Sequence, residues 1–112
     1  MDIVLFLESE NGEWGENIHS IIKDFKWTSP FVPLIGDRLN INLENYELRI
    51  DIKQENISGI VTEREFSPSE NILLLTLAIE EASAKEISQE LNRQRKPLED
   101  EIRAKLAKRH KS

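Results

Sequence analysis

Cysteine is absent from the 112 residues, which excludes disulfide staples and thiolate metal sites. Small secreted domains commonly rely on disulfides, so the absence points to a reducing compartment, and the cytoplasm is the expected location. Histidine is almost as scarce, with only His19 and His110. There is no H-x-x-x-H pair and no acidic D-x-D-x-D-G loop, so no bound metal is expected. The four glycines are scattered, which removes the Gly-rich loop that cradles phosphate, and no cofactor is expected. Long apolar runs are missing too. The longest surrounds Leu73-Leu74-Leu75, far short of the roughly 20 residues of a membrane span, so no membrane partner is expected. The N-terminal run Ile3–Leu7 is short and lacks a basic leader, so it is not expected to act as a signal peptide.

Charge is plentiful and unevenly placed. Residues 1–92 carry 18 acids and 7 bases, a net −11, whereas residues 93–112 carry 8 bases and 3 acids, a net +5. An acidic body repels a phosphate backbone and a basic tail attracts one. The length fits one domain with a modest core. The division expected is a β-rich core over residues 1–80 and a charged helical extension over residues 81–112.

Alternation of apolar and polar residues marks the strands. Ile3, Leu5 and Leu7 share one face of residues 2–8, and Val4 and Phe6 the other, so this strand belongs inside the sheet or covered on both faces. Asn11-Gly12 marks a hairpin whose loop is longer than the tightest turn. Residues 17–28 read as a second strand, with Ile21, Lys23, Phe25 and Trp27 on one face. Pro30 and Pro33 bar their segment from a helix interior or a central strand. Gly36-Asp37 then turns into a strand over residues 38–43. Residues 45–53 alternate cleanly, placing Tyr46, Leu48, Ile50 and Ile52 on the buried face. Residues 57–66 follow, with Gly59 a candidate bulge.

Ser67-Pro68-Ser69-Glu70 can be read as a turn or as a capping box that opens one helix from Ile72 to Lys96. The turn is preferred, because the preceding strand needs a neighbour and residues 72–80 supply it. From Glu81 the pattern is helical, with Ala84, Ile87, Leu91 and Leu98 at spacings of three, four and seven. Pro97 is read as the first residue of a second helix.

The fold class expected is mainly β: a small SH3-like barrel or strongly bent antiparallel sheet of five to six strands, followed by one or two C-terminal α-helices. The P-x-x-G-D turn of residues 33–37 and the short alternating strands around it resemble SH3-like barrels over residues 17–80. That resemblance is to an architecture that hosts many functions, and it implies no activity.

Catalysis finds little support. His19 is flanked by Ser20, which points the other way on a strand. Glu63 and Glu65 form a same-face carboxylate pair, but in so acidic a chain such pairs arise on solvated faces. The expected function is therefore a non-enzymatic interaction or accessory module, binding through the barrel surface or the C-terminal helix. Its partner is expected to be a protein, with self-association open. Leu98, Ile102 and Leu106 form a narrow stripe suited to a partner groove. The alternative is a nucleic-acid-associated accessory protein in which Arg95, Lys105, Lys108 and Arg109 contact phosphate. Lys23-Asp24-Phe25-Lys26-Trp27 interleaves cations and aromatics as base-stacking strands do, though a core face accounts for the same spacing.

Overall fold

The computed structural model describes residues 2–110, with side chains described for residues 2–95. The strands are β1 (Asp2–Ser9), β2 (Gly15–Asn17), β3 (Ile22–Lys23), β4 (Arg38–Asn42), β5 (Glu47–Leu48), β6 (Asn56–Ser67) and β7 (Ile72–Ile79), followed by one helix, α1 (Glu81–His110). Five strands form one sheet in the order β2-β1-β7-β6-β4, and β3 pairs with β5 in a separate two-stranded ribbon. The protein is mainly β with one C-terminal helix. The five-stranded sheet is mixed and is not closed into a barrel.

β1 and β7 are interior strands, and both read as near-continuous apolar runs. The antiparallel expectation fails between them: β1 runs parallel to β7, with Leu5 opposite Leu75 and Leu7 opposite Leu77. Alternation reports which face a residue takes and carries no information on strand direction. Every other pairing in the sheet is antiparallel. Residues 72–79 are a strand, and the helix alternative fails because they complete a hairpin with β6 across a turn in which Asn71 takes a positive φ of 54°.

The strand expected over residues 17–28 breaks up. Asn17 Oδ1 accepts from the His19 N–H at 2.9 Å and starts a single 3-10 turn over Ile18–Ser20. Asp24, with φ of 55°, then stops β3 after two residues. Ile18, Ile21, Ile22 and Phe25 all enter the core, a helical rather than a period-two spacing. The strand over residues 45–53 shrinks to β5. Ile50 and Ile52 are nonetheless buried and Tyr46 and Leu48 half-buried, so the inward face was legible although the ladder was not. Nearby backbone groups bond irregularly, the Arg49 N–H to Ile21 O at 2.7 Å and the Leu43 N–H to Glu55 O at 2.9 Å.

The bulge in β6 is not at Gly59. The register shifts between Val61 and Glu63, leaving Thr62 as the extra residue. Ile57, Gly59 and Val61 face the core, and after the bulge the parity reverses, so Glu63 and Glu65 join Ile60 on the outer face. Gly59 is needed for a different reason. A Cβ there would stand 2.3 Å from the Ala78 carbonyl oxygen, so the close approach of β6 to β7 depends on its absence.

One hydrophobic core joins the sheet, the ribbon, the 3-10 turn at Ile18–Ser20, a second at Leu43–Asn45, and α1. Ala84, Ile87 and Leu91 are buried in it, so the packed interior extends past residue 80. Glu86 fixes the helix to the chain before β6, accepting from the Lys53 N–H at 2.7 Å and from Gln54 Nε2 at 2.9 Å. Of the one or two helices expected there is one, continuous through position 97, so Pro97 does not open a second. Proline has no N–H, so the Arg93 carbonyl goes without its usual donor, and the helix-forming residues on either side carry the helix past the gap.

Candidate functional site

The segment Ser29–Gly36 has no regular structure, yet both of its ends are tied down. At its start, Trp27 Nε1 donates to the Phe31 carbonyl at 3.0 Å. At its end, Leu34 N–H donates to Asp37 Oδ2 at 2.8 Å, and Asp37 N–H donates back to the Leu34 carbonyl at 3.0 Å. Gly36 N–H bonds Val61 O at 2.8 Å and Val61 N–H bonds Asp37 O at 2.9 Å, which fastens the turn to β6. Gly36 takes φ of 95°, a left-handed conformation that a side chain would strain. Pro33 is buried beneath the loop.

What this anchored loop displays is apolar. Phe31 is 80% exposed, Leu34 58% and Ile35 64%. Between the loop and the strands lies an open depression of about 460 Å³ lined by Trp27, Phe31, Val32, Pro33, Leu34 and Leu39, with Asp37 and Arg38 at its edge. Trp27 also borders two neighbouring hollows. One is shared with Phe25, Tyr46 and Asn40, and the other with Val4, His19 and Lys26. The half-buried indole therefore borders all three hollows, and beside the second of them Phe25 and Tyr46 pack in a tilted arrangement with ring centroids 5.5 Å apart.

The residues singled out from the sequence fall elsewhere. Arg95 projects from α1 onto the body, with its guanidinium 3.1 Å from Glu16 Oε2, so it is engaged by an acid of its own chain. Leu98, Ile102 and Leu106, together with Lys105, Lys108 and Arg109, are helical in backbone, but their side chains lie outside those described. Within Lys23–Trp27, Phe25 is core, Trp27 is half-buried, and Lys23 and Lys26 are exposed. His19 is exposed, its ring edge-on to Phe25 at 6.3 Å. Glu63 and Glu65 are exposed.

Among the described residues, no group of three His, Cys, Asp or Glu side chains is placed to hold a metal ion. No described helix is long and apolar enough to cross a membrane. Among the described residues, Glu86 alone has a resolved departure from the ordinary carboxylate range. The hydrogen bond from Gln54, and then that from the Lys53 backbone, hold it below the usual value. The same two hydrogen bonds tie α1 to the chain before β6.

The sequence reading missed Phe31, Leu34 and Ile35 as a surface. The available signal was an apolar run bounded by Pro30 and Gly36, in a segment that its prolines bar from both helix and central strand. Apolar residues with no regular element to bury them are candidates for display. Comparison with protein-family models, with curated proteins and with solved structures gives no match.

Proposed function

We propose that this protein is a non-catalytic interaction module that binds a protein segment on the Trp27–Leu39 surface. The observation that carries the reading is the exposure of Phe31, Leu34 and Ile35 on a loop whose backbone is hydrogen-bonded into place. A loose loop would let these side chains collapse onto the body. A pinned one holds them out, and contiguous exposed apolar surface of this kind marks interaction sites. Binding begins with little ordering entropy left to lose, which favours affinity.

The chemistry of the surface selects its ligand. Trp27 and Phe31 offer flat apolar walls to an extended segment with one or two large apolar or proline side chains. The acidic body favours basic residues flanking that segment. The finer likeness to an SH3-like barrel belongs to the same proposal: the β3–β5 ribbon and the open sheet wrap one core as a half-closed barrel does, with the aromatic groove on its rim. A phosphate-binding role for the tail is less favoured, because Arg95 is already paired with Glu16.

The test is selection of a random peptide library on the intact protein and on a Phe31→Ser, Leu34→Ser, Ile35→Ser variant. The reading predicts an apolar consensus with basic flanks on the first and none on the second. The same consensus on both would sink it.

A further inference from the structure

The sheet has a second face, and α1 does not cover it. Glu16 lies opposite Leu7 and so faces the core, and Arg95 of α1 reaches it. The helix is thus laid on the core side. On the outer side the register brings together Val4 and Phe6 of β1, Leu74, Thr76 and Ala78 of β7, and Ile60 of β6. Phe6, Leu74 and Ile60 are each 41–42% exposed. The charges sharing this face are Asp2 and Glu8 on β1, Glu63 and Glu65 on β6, and Arg38 on β4. The outer face is therefore an apolar centre with an acidic rim. The bulge at Thr62 helps make it so, because without the parity change Glu63 and Glu65 would fall on the core side.

Such a face is complementary to a basic helix bearing a narrow apolar stripe. This chain contains one. Leu98, Ile102 and Leu106 recur every four residues, a spacing that shares one side of a helix, and residues 93–112 carry a net +5. The tail cannot serve its own sheet. α1 is continuous from Glu81 to His110, so the 15 residues after Arg95 extend about 22 Å further along a rod that starts on the opposite face.

We propose that the protein self-associates, the basic tail of one copy lying across the acid-rimmed outer sheet face of a second copy. A two-fold axis makes the exchange reciprocal. Doubling the contact brings two short tails towards the roughly 1,200–2,000 Å² buried in a standard interface. The two surfaces meet at Val4 and Arg38, but Glu63 and Glu65 line neither the groove nor the hollows beside it, so the two can be tested apart.

Sedimentation equilibrium of the full chain tests this directly. The expected mass is twice the 13.0 kDa of one chain. Replacing Glu63→Lys with Glu65→Lys, or separately Lys105→Glu with Lys108→Glu, returns it to the mass of one chain, and combining the two pairs restores the dimer. Because these are charge changes on exposed face positions and on the tail, circular dichroism should show an unchanged fold. A monomer at all concentrations up to about 100 times those of a micromolar Kd would overturn the proposal. So would a dimer lost with the tail changes but kept with the face changes, which would mean tail pairing with tail. A dimer unaffected by either pair would overturn it as well.

Discussion

At the residue scale, small groups decide whether the interior closes. Gly59 lets β6 approach β7 so closely that any Cβ meets the Ala78 carbonyl. Gly59→Ala should therefore lower stability by about 1–3 kcal/mol, the usual cost of overpacking, measured by urea unfolding. Ile50 is 4% exposed in a segment with no ladder partner. Ile50→Ala should cost about 2–5 kcal/mol, whereas a change at exposed Glu47 should stay within about 0.5 kcal/mol. Glu86 adds a pH dependence. Its carboxylate is stabilised in the folded state by Gln54 and the Lys53 N–H, so its folded pKa lies below its unfolded one. The stability it contributes is complete above the unfolded value near 4.5 and is lost as pH falls through the folded value. The stability gap between the native protein and Glu86→Gln should be present at neutral pH and shrink on acidification below that point. A gap that stays constant would show that the two hydrogen bonds do not favour the ionised form.

At the element scale, the sequence shows faces more readily than connections. The alternation at Tyr46, Leu48, Ile50 and Ile52 located the inward side although, of those four, Leu48 alone is in a ladder, opposite Ile22. Ala84, Ile87 and Leu91 marked the buried side of α1. What alternation could not supply was direction and register. Nothing in Ile3–Leu7 distinguishes a parallel from an antiparallel neighbour, and one inserted residue at Thr62 inverts every face assignment after it. The break at Ile18–Ser20 depended on the Asn17 side chain capping a turn, a local competition that period counting overlooks. Pro97 is the remaining irregularity. Pro97→Ala restores a donor for the Arg93 carbonyl and removes the ring clash, which together cost about 3 kcal/mol in a helix interior. It should strengthen the far-ultraviolet helical signal of the chain while leaving the burial of Ala84, Ile87 and Leu91, and hence the urea slope, nearly unchanged.

At the scale of the whole molecule, exposed apolar surface falls in two places, the outer sheet face and the loop of Phe31, Leu34 and Ile35. The core side is closed by α1, the outer sheet face carries an acidic rim, and the Trp27 surface stands at the loop that joins the ribbon to β4. The sequence pointed to the tail as the binding element because its charge stands out in composition. The Trp27 surface was hidden because its exposure depends on backbone bonds between residues 36–37 and Val61, which no local pattern records. The central claim is that this pinned apolar loop is where a partner binds. The most direct measurement is amide chemical-shift mapping of the intact protein with a peptide selected on it. The account predicts perturbations concentrated at residues 27–39, with Gly36 and Val61 remaining hydrogen-bonded. Perturbations centred on residues 98–109, or on Phe6, Ile60 and Leu74, with residues 27–39 silent, would contradict it.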